Sequence, residues 1–172
     1  MHTKKRPEAN ECSDYFKTYT GKVEGNDALQ TLINAKLETI KFLKNLSEPQ
    51  WNHRYDEGKW SIKEVFLHII DTERIFAYRA LRVGRNDKTP LPGFEQDDYI
   101  PYNYADSRSG ESIVEEYRAV RDATITLFKN MNDEAMSFVG TASDNAITPR
   151  AAMFIIAGHE IHHMNIVNER YL

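Results

Sequence analysis

Hydrophobic side chains recur at intervals of three and four residues in four separate stretches of the chain, and this spacing predicts four α-helices. The first is expected over residues 26–46, with Asn26 or Asp27 as its N-cap. The third carries an apolar stripe from Ile113 to Met131. Because each helix has a hydrophobic stripe to bury, the sequence predicts an all-α four-helix bundle with little or no sheet.

The second and fourth helices have clear N-terminal signals. Ser61 and Glu64 match a capping box, in which each side chain accepts a hydrogen bond from a backbone N–H at the start of the helix. Thr148 and Pro149 match a cap followed by proline at the first helical position. One helix is therefore predicted to start after residue 61, and another after residue 148.

Residues 84–108, between the second and third helices, show no helical periodicity and contain three prolines. Connections of this length are uncommon in compact domains and are often functional loops. A long crossover also allows the two helices that it joins to run parallel. The segment is therefore predicted to be a long crossover loop.

The fourth helix contains His159 and His163, which are four residues apart and therefore lie on one helical face. They lie within an apolar stripe, where burying an imidazole costs free energy unless its nitrogens are bound by a partner. The second helix supplies another histidine, His68. The three side chains predict a divalent metal site with three histidine ligands, although single buried histidines often have only a structural role.

The same residues formally match the HExxH motif of zinc peptidases, in which the glutamate is a general base. Such enzymes have a third ligand beyond the motif helix, but Glu169, the one candidate there, lies on the same helix and is poorly placed. There is also no strand-rich lobe to hold a peptide. A peptidase is therefore not favoured.

Two carboxylates are candidates for orienting a ligand or transferring a proton. Asp71 follows His68 by about one turn, and Glu160 is adjacent to His159. The alternative for each is a plain surface role. His162 is expected at the edge of the histidine face.

The fourth helix has a second apolar face, opposite the histidines. We expect this face to be covered by a neighbouring helix or by a second copy of the chain, because its exposure would leave a large apolar patch. It consists of Met153, Phe154, Ala157, Ile161 and Met164.

Over residues 29–172 the chain resembles the DinB/YfiT-like family of metal-dependent proteins. The resemblance is carried by the sequences at residues 58–65, 68–73, 92–94, 157–163 and 169–172. It implies a bundle of up-down-down-up topology, often a homodimer, with zinc or nickel held by three histidines that map onto His68, His159 and His163. Some members of the family use a low-molecular-weight thiol, so the resemblance implies no single reaction.

Composition and charge argue against some classes of function. The 172 residues are 41% hydrophobic and 28% charged, as in soluble globular proteins, and the net charge of −4 argues against nonspecific nucleic-acid binding. The longest apolar run, 151–157, is too short to cross a membrane. We expect a polar leader at 1–24, a bundle domain at 25–172 and a cytoplasmic location, since Cys12 is the only cysteine and no signal peptide is evident.

An open metal ion can activate water, as in a hydrolase, or a thiol, as in a transferase. Because Cys12 lies in the predicted leader, the thiol would have to be a cosubstrate. The sequence thus favours a metal-dependent enzyme acting on a small molecule. The alternative is a non-catalytic protein in which the ion only stabilises the bundle.

Overall fold

Four long helices form the body of the protein in a computed structural model that describes residues 5–172. In chain order the helices are α1 (Asp14–Thr20), α2 (Ala28–Lys44), α3 (Glu48–Trp51), α4 (Ile62–Gly84), α5 (Gln96–Tyr99), α6 (Gly110–Lys129), α7 (Asp133–Ser137) and α8 (Pro149–Arg170). Two short strands, β1 (Gly140–Ala142) and β2 (Asn145–Ile147), pair as an antiparallel hairpin. The predicted all-α bundle is confirmed, and α2, α4, α6 and α8 are its four helices.

The predicted helix starts are present. Asp27 caps α2 by accepting a hydrogen bond from the Gln30 amide at 3.0 Å. At the start of α4, the backbone N–H of Ser61 donates to Glu64, which completes the capping box. Thr148 caps α8 through a 3.0 Å bond from the Ala151 amide. These caps define where α4 and α8, the two helices that carry the histidines, begin.

Contacts between the helices establish their directions. Arg121 on α6 bonds the Leu32 carbonyl oxygen near the start of α2. Thr39, later on α2, and Tyr117, earlier on α6, both donate to Glu160 on α8. Later positions on α2 therefore meet earlier positions on α6, so these two helices run antiparallel.

Gly84, at the end of α4, lies beside Met131 just past the end of α6 and beside Pro149 at the start of α8. Helix α4 is therefore parallel to α6 and antiparallel to α8. The hydroxyl of Tyr171, after α8, donates to the Trp60 carbonyl before α4, which agrees with this arrangement. The directions of α2, α4, α6 and α8 are thus up-down-down-up, as expected.

The predicted connections contain more structure than their sequences indicated. The segment between α2 and α4 includes α3, and the predicted crossover at 84–108 includes α5 and two 3-10 turns, at Ile100–Tyr102 and Ala105–Ser107. Leu91 also makes an isolated bridge to Ala142 in β1. These elements are only three or four residues long, so hydrophobic periodicity could not detect them.

The segment predicted as a polar leader contributes helix α1, which packs on α8. Cys12 and Val23, on either side of α1, are buried in the core. The carboxylate of Glu11 accepts hydrogen bonds from Thr148 and Arg150 at the start of α8. Much of this segment is therefore attached to the bundle, while the boundary between a leader and a domain at residue 25 stays a prediction.

Helix α8 is buried on both apolar faces. On the face opposite the histidines, Met153, Phe154 and Ala157 are buried, whereas Ile161 and Met164 are partly exposed and pack at the edges of the core. The chain itself covers most of this face, which is one of the two expected outcomes. The face therefore gives no separate argument for a dimer.

Candidate metal centre

The candidate site lies where α4 and α8 cross. His68 is in the second turn of α4, on the side that faces α8. His159 and His163 are one turn apart on α8 and face α4. The antiparallel contact of the two helices brings together all three histidines that the sequence predicted as ligands.

The ring nitrogens of the three histidines converge on one point. The Nε2 atom of His159 lies 3.0 Å from that of His68 and 3.2 Å from that of His163. One nitrogen from each ring lies within 4.8 Å of the other two. Nitrogens bound to a single zinc ion at about 2.0–2.1 Å are roughly 3–3.5 Å apart in common coordination geometries, so the residues fit a metal ion.

Burial keeps these imidazoles neutral. Loss of hydration lowers the pKa of His68 to about 4 and that of His163 to about 3, and it holds the pKa of His159 well below its ordinary value. A neutral imidazole has one N–H and one lone pair, so three facing nitrogens cannot all be paired by hydrogen bonds among themselves. A divalent cation would accept one lone pair from each ring, which the donor set suits.

Aromatic rings surround the histidines. The Trp60 ring lies 5.0 Å from the ring of His68, and the Tyr19 ring lies 5.3 Å from that of His159. His162 packs against Tyr19 and His163 but does not join the converging nitrogens. His162 therefore lies at the edge of the histidine face, as its position in the sequence predicted.

Asp71 lies near the site without bonding a histidine. Its partly buried carboxyl lines a small cavity together with His68, on the side covered by the crossover. Burial raises the pKa of Asp71, although Arg74, 3.7 Å away, acts in the opposite direction. The carboxyl is therefore placed to exchange a proton near the site, and this role stays a prediction.

Glu160 makes its contacts away from the converging histidines. Its buried carboxylate accepts hydrogen bonds from Thr39 at 2.8 Å, Tyr117 at 2.5 Å and Arg121 at 2.6 Å. Arg121 also bonds both carboxylate oxygens of Glu73. The carboxylate of Glu160 is thus engaged in a network that joins the helices, which the HExxH motif alone could not indicate.

An open cleft of about 310 Å³ adjoins His159. Its walls come from α1, α4, the crossover, the β1–β2 turn and α8; they include Tyr15, Phe16, Tyr19, Thr72, Phe76, Arg79, Phe94, Ser143 and Ile155. The α1 residues were not among the predicted site residues. The close spacing of Tyr15, Phe16 and Tyr19 was the available signal, but a helix of seven residues is too short for its periodicity to be decisive.

Comparisons with known proteins bear on the family and the fold of this chain. The model of the DinB superfamily matches residues 34–167. "Putative metal-dependent hydrolase OB0413" of Oceanobacillus iheyensis is 23% identical over 139 residues, which are 79% of this chain and 77% of that protein.

No helix within residues 5–172 has the length and apolar character needed to cross a membrane.

Two solved structures share the fold. YfiT from Bacillus subtilis, described as a probable metal-dependent hydrolase with an unusual four-helix bundle topology, superposes with a TM-score of 0.68 at 14% identity, covering 95% of this chain and 90% of that one. The mycothiol-dependent maleylpyruvate isomerase superposes with a TM-score of 0.66 at 10% identity, covering 80% of this chain but 58% of the isomerase. At these identities the similarity establishes the fold alone.

Proposed function

This chain belongs to the DinB superfamily, and from that premise we propose that it is a metal-dependent enzyme acting on a small organic molecule, with a divalent ion held by His68, His159 and His163. The observation that carries the proposal is the convergence of three neutral imidazole nitrogens beside an open cleft. Structural zinc sites have four protein ligands, whereas catalytic sites keep a position open. Three protein ligands therefore favour a catalytic ion over one that only stabilises the bundle.

Zinc and nickel are the proposed ions, because both accept imidazole ligands. When bound, such an ion lowers the pKa of a coordinated water or thiol so that it becomes a nucleophile near neutral pH. In our proposal the chain holds its imidazoles neutral by burial, and Asp71 accepts or donates a proton beside His68. For Glu160 we propose a role in holding the helices in place, since its carboxylate bonds Arg121, and the proton-transfer role suggested by the sequence stays a prediction.

Hydrolysis is the first proposed reaction, supported by the naming of OB0413 and the description of YfiT. Transfer or isomerisation with a low-molecular-weight thiol is the second, because the mycothiol-dependent isomerase has the same fold. Cys12 is buried, and burial raises the pKa of its thiol. A thiol nucleophile would therefore be a cosubstrate.

We also propose a cytoplasmic homodimer that binds neither nucleic acid nor membrane. The resemblance to the DinB family supports the dimer, and the single cysteine supports the cytoplasmic location. The net charge of −4 argues against nucleic-acid binding, and the short apolar run at 151–157 argues against a membrane-spanning helix. Sedimentation equilibrium should give twice the mass of one chain. A single-chain mass at micromolar concentration would refute the dimer and leave the metal site unaffected.

The test of the main proposal is metal content together with turnover. Wild-type protein should contain one zinc or nickel ion per chain, and His68→Ala should lose both the ion and activity, since it removes the only ligand on α4. The measurements are elemental analysis and a screen of esters and amides, with and without thiols. The matched control is His162→Ala, which removes a neighbouring histidine outside the converging set and should keep the ion.

Full metal content in His68→Ala would refute the three-histidine site. Retention of the ion in the wild-type protein without a water that exchanges on the metal would instead support the non-catalytic alternative.

A further inference from the structure

The cleft beside His159 contains a buried guanidinium group without an acidic partner. Arg79 is 2% exposed, yet no carboxylate within residues 5–172 forms an ion pair with it. The two other buried arginines, Arg121 and Arg150, each bond a glutamate. Buried charges in proteins are normally paired, so the missing partner of Arg79 requires an explanation.

The hydrogen bonds of Arg79 use only part of its capacity. Its Nη2 atom donates to the Pro92 carbonyl at 2.8 Å and to the Ser143 hydroxyl at 3.0 Å. Arginine has five N–H donors, and those on Nε and Nη1 have no acceptor in the described part of the chain. Both acceptors are neutral, so the positive charge stays uncompensated.

Thr72 supplies a second unpartnered group in the same cleft. Its side chain is 3% exposed, and its hydroxyl has no hydrogen-bond partner among the residues that the structure describes. A buried hydroxyl without a partner costs about 1–3 kcal/mol. Both Thr72 and Arg79 line the cleft on α4, one on each side of Phe76 in sequence.

Two aromatic rings also lie against the guanidinium of Arg79. Its guanidinium carbon lies 4.9 Å from the centre of the Phe76 ring and 5.8 Å from that of Phe94. Such rings stabilise a cation without neutralising it. At the rim, Glu95 and Asp97 are exposed and form no ion pair with Arg79. One buried cation with carboxylates at the entrance suits a ligand with a single negative charge better than a phosphate dianion.

We propose that this cleft binds the carboxylate of a small organic acid. Arg79 pairs with the carboxylate through its free N–H groups, Thr72 donates its hydroxyl, and the phenyl rings contact the apolar part of the acid. The remainder of the molecule then lies at His159, next to the metal centre. This inference rests on the proposed function and specifies the substrate class of that site.

The test is calorimetric titration of the zinc-loaded full chain with acetate, benzoate and phenylacetate, each beside its amide. At least one acid should bind about tenfold or more tightly than its amide, as expected for a charged hydrogen-bonded pair. Arg79→Met should remove this preference, and Arg79→Lys should retain part of it. The control Arg85→Met removes an exposed arginine just after α4 and should keep the preference.

Thr72→Val distinguishes binding from a structural role. The variant should bind the acid about threefold to tenfold more weakly, whereas its melting temperature should not fall, because the hydroxyl has no partner to lose. If Arg79 only anchors the crossover and the β1–β2 turn, Arg79→Met will lower the melting temperature without changing the preference for the acid. That result would overturn the inference.

A carboxylate can also coordinate zinc. Repeating the titration in the presence of a chelator therefore distinguishes binding of the acid by Arg79 from binding by the ion. A preference that disappears with the metal, or equal binding of every acid and its amide, would overturn the inference. Metal content is measured on the same samples. A protein that binds no zinc but still selects the acid through Arg79 would refute the proposed function and support this assignment.

Discussion

At the scale of single residues, two neighbours on α8 show how contacts determine the state of a buried polar group. His159 faces two other imidazoles, and no carboxylate bonds it within residues 5–172. Glu160, one residue later, accepts three hydrogen bonds from donors on α2 and α6. Burial thus keeps the histidines neutral, whereas hydrogen-bond donors from two other helices satisfy the buried carboxylate of Glu160.

This difference predicts a pH dependence of stability in the metal-free protein. The pKa of His68 is about 4 when folded, below its ordinary value near 6.5, so between these values the unfolded chain binds a proton that the folded chain does not. The free energy of unfolding should therefore be highest above pH 6.5 and fall as the pH decreases to 5, by about 2 kcal/mol for this imidazole. Urea denaturation in chelator at several pH values measures the slope.

The double variant His68→Gln/His163→Gln is the control and should show a shallower slope. Buried carboxylates with lowered pKa values, such as Glu11 and Glu64, change the free energy of unfolding mainly below about pH 4.5. They therefore do not account for a slope between pH 7.5 and 5. An unfolding free energy that is constant from pH 7.5 to 5 would contradict the assignment.

At the scale of elements, the position of α1 depends on a glycine of α8. A Cβ atom at Gly158 would lie 1.9 Å from the backbone carbonyl oxygen of Tyr19. Only glycine allows the two helices to approach this closely. The contact sets Tyr15, Phe16 and Tyr19 along the cleft and Tyr19 against His159.

Gly158→Ala should therefore displace α1 and lower the free energy of unfolding by about 1–3 kcal/mol. The displacement should also make the segment before residue 25 more sensitive to limited proteolysis. The matched control is Gly84→Ala, another helical glycine, whose added Cβ would meet the flexible Met131 side chain. The control should be close to neutral, and equal stability of both variants would refute the role of Gly158.

At the scale of the whole molecule, a buried network joins all four helices of the bundle. Arg121 on α6 bonds Glu73 on α4, Glu160 on α8 and a backbone carbonyl of α2. Removing one partner from a buried set of charges is destabilising, because it leaves the opposite charge uncompensated. The same network fixes α4 and α8 relative to each other, and these two helices carry the histidines.

Glu160→Gln should keep the metal and lower the free energy of unfolding by about 1–3 kcal/mol, because Arg121 loses one charged acceptor but keeps Glu73. Denaturation curves and metal analysis of the same preparation measure both quantities. Thr39→Val removes only one neutral donor and leaves Glu160 bonded to Tyr117 and Arg121, so it should cost less, about 0.5–1.5 kcal/mol. Loss of the ion from a fully folded Glu160→Gln protein would place this carboxylate in the metal site instead.

The sequence by itself determined the features that depend on local spacing. Apolar residues at helical intervals predicted α2, α4, α6 and α8, and the caps at Ser61 and Thr148 fixed two of their starts. The pairing of His159 with His163 follows from the geometry of a single helix. The third histidine, His68, was also predicted from the sequence, and the resemblance to the DinB family added the up-down-down-up topology.

Only the tertiary structure decided which distant segments meet. It placed α1 on α8, engaged Glu160 with Arg121, and set Arg79 and Thr72 in a cleft bounded by the crossover and the β1–β2 turn. Residues in these contacts are separated by tens of residues along the chain. Periodicity reports which face of a helix is apolar, but the partner of a buried charge depends on how whole helices pack, so no local pattern could have identified it.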